Sequence, residues 1–276
     1  MKIFNLNKYI FILVFLVLLD CGIGTYIGLW RESYWSALSN KEFYLWGKYI
    51  LEFIAAALLS CGVSGYSQYL ISVISLYWRT KLTQKALKLD YSRVEGHQQR
   101  IQEDCGRYPS ILLSLIVALI RSVIMIVAFS YIILQHLSWY YLLIPLGYAL
   151  IGTLLAGKIA FPLINLNYLN QVVEARFRQS LSHLNYLLAH RNNHQLFKKT
   201  KHLQYFQSFF NQITVIFPHL CLASLYFSGK IVFGVFMQVA AAMAEITNSL
   251  SVIILSFSDI NNLISCRRRL RELQII

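Results

Sequence analysis

The sequence predicts an all-α, polytopic membrane protein with six transmembrane helices and long helical extensions on one side of the bilayer. Three observations carry this. Of 276 residues, 57% are apolar, and the mean hydropathy is +0.52. Only 13% are charged, against about 25% in soluble domains. The apolar residues gather into runs of about twenty or more, the length that crosses a bilayer core. No contiguous part is polar enough for a soluble domain, so residues 1–276 read as one transmembrane domain.

The first span, about 9–30, follows Lys2 and Lys8 and imitates a signal peptide. In "LLDC" Asp20 stands just before Cys21, where lipoprotein cleavage wants a small neutral residue, so an uncleaved helix is expected. The second span, 49–78, is longer than a bilayer requires and should project from it. The third and fourth are 110–135 and 139–160. The fourth contains "GTLLAGKI", Gly152–Ile159, which is close to a phosphate-binding P-loop. Ile159 replaces the hydroxyl that would hold Mg²⁺, and the flanks read as membrane helix, so no nucleotide site is expected. Gly152 and Gly157 are expected to allow close helix packing, with Lys158 reaching for the headgroups. The fifth span, 206–228, holds Pro218, an expected kink, and His219 beside it; the sixth is 232–257. Gly24 and Gly28 have the spacing of a helix-contact motif.

The links alternate. Those after spans one, three and five are short or aromatic; those after two and four are long, basic and helical in pattern. Nineteen of the 25 Lys and Arg residues fall at the N-terminus, in 79–107, in 176–201 and in the tail. The positive-inside rule therefore places both termini in the cytoplasm. Trp30, Trp35, Trp46, Trp139, Tyr140 and Tyr141 fit an aromatic belt at the opposite boundary. Topology and anionic headgroups account for the net charge of +13, so nucleic acid is not an expected partner. The cysteines at 21, 61, 105, 221 and 266 form no CxxC or Cys/His cluster, so free thiols and no metal or other cofactor are expected.

Asp20, Glu52, Arg121 and Glu245 lie inside apolar spans, where each charge costs about 2.5–3.5 kcal/mol. Two readings are open. The charges pair structurally, Arg121 with Asp20 or Glu52, or some of the carboxylates exchange protons, since desolvation raises a carboxyl pKa towards neutrality. Glu52 could instead be near enough to the surface to be solvated. No Ser/His/Asp arrangement or HExxH is present, so an enzyme is not expected.

Ordered motifs in the loops carry a resemblance. The link after span two has Trp78-Arg79, Leu82-Thr83, Gln99-Arg100-Ile101 and Glu103-Asp104; the next long link has Glu174, Phe177 and Arg178. "LYFSGKIVFGVFMQ" supplies Tyr226, Phe227, Gly229, Ile231, Gly234, Met237 and Gln238. Together these resemble the membrane domain of peroxisomal-type ABC transporters. Glu95 within "VEG" and Glu174 within "VEA" are similar to the SbmA/BacA-like peptide transporters. The resemblance implies an ABC exporter-like transmembrane fold without an ATPase domain, a homodimer, and import of antimicrobial-type peptides across the bacterial inner membrane on the proton gradient. It implies proton coupling at Glu95, Glu103 and Glu174, with Asp20 matching less closely. The residues alone also allow Glu95, Glu103 and Asp104 to be a solvated capping cluster paired with Arg100 and Arg107, and Glu174 to pair with Arg178 at i,i+4.

The chain departs from the family in lacking additional N-terminal helices, in lacking paired glutamates in "LNYLLAHRNN", and in carrying Arg121 at an uncharged position. The alternatives are a membrane half that uses a separate ATPase, and a non-transporting remnant or structural membrane protein.

Overall fold

The computed structural model describes residues 6–88, 97–158, 183–252 and 256–275. Among these residues every regular element is helical. In order they are α1 (Leu6–Ser39), α2 (Phe43–Ala86), α3 (His97–His136), a 3₁₀ turn (Trp139–Leu142) leading into α4 (143–158), α5 (His183–Phe227), α6 (Phe233–Leu250) and α7 (Phe257–Glu272). At 1.5 Å per residue, α1 is about 51 Å long and α2 about 66 Å, against about 30 Å of hydrocarbon. Pro109 and Pro218 each sit inside a continuous helix and each remove one ladder hydrogen bond.

Among the described residues, five helices are long and apolar enough to cross a membrane: Leu6–Ser39, Phe43–Ala86, Ile101–His136, Trp139–Lys158 and Thr200–Phe227. The stretch expected as a sixth span, 232–257, is occupied by α6 and, from Phe257, the start of α7. α6 holds Gln238, Glu245, Thr247, Asn248 and Ser249 among apolar residues, and it buries much of its surface against protein.

Two of the turns between helices are set by a residue in the left-handed region. Lys41 (φ 62°) ends α1, with the amides of Asn40 and Glu42 each donating to a last-turn carbonyl, Ser36 O and Ala37 O, at 2.9 Å. Gly229 (φ 73°) turns the chain between α5 and α6, the conformation that suits a residue without a Cβ.

The chain divides into two compact units. One comprises Met1–Ile74, Ile116–Ile151 and Phe210–Val252; the other comprises Ser75–Leu115, Gly152–Phe209 and Ile253–Ile276. In the first unit α1 packs on α6 and on α3. A Cβ at Gly24 would lie 2.9 Å from Met125 Cε, and one at Gly28 would lie 2.7 Å from Phe129 Cε1. One at Gly234 would lie 2.5 Å from the carbonyl oxygen of Glu32. Small residues therefore let the helices approach, as the Gly24/Gly28 spacing predicts. Gly157 is a correction: among the described residues a Cβ there would meet nothing within 4 Å, so none of them packs closely on it. α2 is mostly exposed along its apolar stretch, Leu51 and Leu58 among it, which suits lipid contact.

The second unit has its own small core. Ala86, Cys105, Leu270, Leu273 and Ile275 are buried together, with Leu82, Ile101 and Tyr108 against them. α7 is held there by its inward face, while Arg267, Arg268 and Arg271 face outward.

Candidate functional site

The first unit concentrates ionisable groups at mid-span. Asp20 lies in the apolar stretch of α1, about 21 Å of helix from Leu6 and about 29 Å from Ser39. It is buried, and both its oxygens are engaged. Ser60 on α2 donates to Oδ1 at 3.1 Å, and Arg121 Nη1 on α3 lies 2.8 Å from Oδ2. The carboxylate thus ties α1, α2 and α3 together. The Asp20 side chain is 10% accessible and that of Arg121 is 49% accessible. Pairing a charge this way offsets much of the penalty of carrying it into hydrocarbon.

Of the two partners expected for Arg121, the structure selects Asp20. Glu52 is elsewhere, 3.7 Å from Lys48 one turn before it, and it accepts a weak hydrogen bond from Tyr26 at 3.4 Å. Glu245 on α6 lies within electrostatic reach of Arg31 on α1. A further pair lies toward the far end of the same helices: His136 Nε2 is 3.5 Å from Glu32 Oε2. His219 bonds through Nδ1 to Val215 O at 2.8 Å, a contact within its own helix.

Gln238 is 1% exposed on α6, and its Nε2 donates to two α1 carbonyls, Gly28 O and Leu29 O, each at 3.2 Å. It is a fastener between the two helices, one turn beyond the close approach at Gly234. Gly229, Tyr226 and Phe227 form the turn and aromatic cluster leading into α6; the Tyr226 and Phe236 rings are 5.2 Å apart.

The second unit overturns one expectation. Asp104 is not part of a solvated cluster. It is fully buried, and Arg269 of α7 donates to its Oδ1 at 2.5 Å. The same guanidinium lies 3.7 Å from Cys266 Sγ. Burial pushes the Cys266 thiol up from its ordinary pKa, and the nearby Asp104 charge adds to that. Glu103, next to Asp104, is half-buried and engaged in interactions of its own. Arg79 packs against Gly106, 3.4 Å from where a Cβ would be, and Trp78 is half-buried.

The structure therefore brings Asp20 and Arg121 together and gives Asp104 a partner that the motif did not reveal. Gln99 and Arg100 lie in the first turn of α3. Glu95, Glu174, Phe177 and Arg178 lie outside the described residues. Ser60 and Arg269 went unnoticed in the sequence. A serine in an apolar run has no signal of its own, and Arg269 is one of four tail arginines that topology alone explains.

A model of the SbmA/BacA-like family matches residues 8–275. The chain is 25% identical to the chloroplastic ABC transporter D family member 2 of Arabidopsis thaliana, over 93% of this chain and 41% of that protein. It is 24% identical to an uncharacterised ABC transporter ATP-binding protein of Synechocystis, over 86% of this chain and 41% of the relative. It is 23% identical to the inner membrane ABC transporter ATP-binding protein YddA of Escherichia coli, over 95% of this chain and 56% of the relative. The chain thus spans about half the length of these relatives or less.

Proposed function

The chain belongs to the SbmA/BacA-like family and is a multi-pass membrane transporter with an ABC transporter-like membrane domain, and we propose that it imports peptides across a bacterial inner membrane on the proton gradient. The observation that carries this reading is the buried Asp20 carboxylate joining three helices through Ser60 and Arg121. Protonation removes its charge and frees Arg121, so the grip between α1 and α3 loosens when a proton is taken up. Deprotonation toward the cytoplasm restores the pair and resets the carrier. A proton thereby biases the equilibrium between two arrangements of the helices, which is what alternating access requires. Glu95, Glu103 and Glu174 are proposed as further proton-handling groups on the cytoplasmic side, with both termini in the cytoplasm.

A homodimer enclosing the path completes the reading, since one six-helix unit offers little room for a peptide. The chain itself is proposed to act as one transmembrane domain with no enzymatic step of its own.

The test is uptake of a labelled peptide into proteoliposomes, with an inward proton gradient and no ATP. The reading expects uptake that collapses with a protonophore and is lost in Asp20→Asn. Glu95→Gln, Glu103→Gln and Glu174→Gln probe the remaining carboxylates in the same assay. Gradient-independent uptake, or wild-type uptake in all four variants, would reject proton coupling. A second reading follows from relatives that are named ATP-binding proteins and extend well beyond the stretch they share with this chain. In that reading ATP hydrolysis on a separate polypeptide drives transport; uptake that requires ATP and is blocked by vanadate would establish it.

A further inference from the structure

We propose that Arg121 binds the carboxylate of the transported substrate, taking over from Asp20 during the cycle. The inference rests on the peptide-transport reading and names what that site selects.

Arg121 lies about 16 Å of helix from the nearer end of its 110–135 span, beyond the reach of an arginine side chain to the headgroups. Yet 49% of its side chain is accessible, while Asp20 beside it is 10% accessible. An arginine side chain this open cannot leave its guanidinium among lipid tails, because such groups face a bundle interior or a wet cavity. In the proposed dimer the open side of Arg121 accordingly belongs on the aqueous path enclosed between the two copies, where a substrate would pass.

The chemistry of that open side is specific. A guanidinium offers five N–H donors in a planar fork. Asp20 engages it through Nη1, while the other Asp20 oxygen is held by Ser60. The rest of the fork has the geometry that receives a carboxylate in two parallel hydrogen bonds. A linear, unmodified peptide carries such a group at its C-terminus, and Asp and Glu side chains carry it too. Ser60 and Arg121 also divide the labour at Asp20. When Asp20 takes a proton, Ser60 can still hold it in place, and Arg121 is left with a full positive charge and no counter-ion. A substrate carboxylate supplies that counter-ion. Substrate binding and proton uptake then favour one another, which is the linkage a coupled carrier needs.

The probe is a pool of neutral tetrapeptides built from Ala, Ser, Leu, Phe and Gln. Each is made once as the C-terminal acid and once as the amide. The pool is offered to immobilised, detergent-solubilised protein at neutral pH, and the bound acid-to-amide ratio is read by mass spectrometry. The wild type is expected to enrich acids on the order of tenfold, the scale of one charge-assisted pair. Asp20→Asn is expected to raise the ratio further, because the whole fork is released. The double variant Asp20→Asn/Arg121→Gln keeps the site neutral and should bring the ratio to about one while binding of the amides persists. Equal capture of acids and amides by the wild type overturns this inference and leaves transport standing. So does an acid preference that survives in the double variant. A ratio that falls in Asp20→Asn shows that Arg121 needs its partner only for structure, and also overturns it. Capture of neither form by the wild type removes the peptide-transport reading together with the inference.

Discussion

Gly234→Ala tests the seam between α1 and α6. A Cβ at Gly234 would stand 2.5 Å from the backbone oxygen of Glu32. An ordinary carbon–oxygen approach is about 3.3 Å, so the two helices must part by about 0.8 Å at that level. The obstacle is backbone, which cannot swing aside as a side chain can. Gln238, one turn along α6, holds Gly28 O and Leu29 O at 3.2 Å each. Moving it by a similar amount puts both contacts near 4 Å, past the range of a hydrogen bond. Each lost bond is worth about 0.5–1.5 kcal/mol, and a buried carboxamide left without partners adds about 1–3 kcal/mol. The expected destabilisation is about 2–6 kcal/mol. On the scale for chains of this size that is about 4–24 °C in Tm.

The assay is thermal unfolding of the detergent-solubilised protein, followed by tryptophan fluorescence. Gly62→Ala is the control: nothing lies within 4 Å of its added Cβ, so removing a helical glycine should be neutral or stabilise by up to about 1 kcal/mol. If Gly234→Ala melts with the wild type, the helices do not approach as described, and the Gln238 fastening fails with them.

Other perturbations read the charged groups. Asp104→Asn should destabilise by about 3–5 kcal/mol, because it leaves a buried arginine without its counter-charge. Arg269→Met should do likewise, while Asp104→Leu with Arg269→Met should recover most of the loss; chemical unfolding of all three decides it. Glu52→Gln should cost less than about 1 kcal/mol, since its pair with Lys48 is partly exposed, and a larger loss of Tm would contradict that placement. Asp20→Asn should remove gradient-driven uptake while the protein still purifies as wild type. Cys266 should resist maleimide in the folded protein. Its folded-state pKa is raised by burial, so it contributes stability that is complete below the unfolded thiol's pKa, about 8.5, and declines as pH rises above it. Tm measured between about pH 8 and 10 should therefore fall more steeply in the wild type than in Cys266→Ser.

Much of this was readable in the sequence, because the bilayer leaves few choices. Apolar runs of fixed length gave the helices, and a carboxylate and a guanidinium within such runs announced that they needed partners. The choice between Asp20 and Glu52 for Arg121 was not readable, since it depends on which helix faces meet and at what height. Asp104 was misread because its neighbours in sequence, Arg100 and Arg107, are plausible solvated partners, while its actual partner is 165 residues away. Gly157 shows the converse. Its spacing suggested a close contact, but a glycine permits an approach without causing one. α6 was legible as a helix within 232–257, but the burial of Gln238 and Thr247 against protein was not, since it depends on which face of α6 meets α1.

The three-helix hold on Asp20 also has an order in time. The ribosome makes Ser60 40 residues after Asp20, and Arg121 only 101 residues after it. At about 5–20 residues per second, Asp20 waits about 5–20 s for its arginine. Through that interval a charged aspartate in the bilayer has only the serine of the next helix to hold it. The nascent α1–α2 hairpin is therefore the first shelter of this group. The hold that the proposed transport cycle would loosen is thus the last to be completed in synthesis, when α3 delivers Arg121.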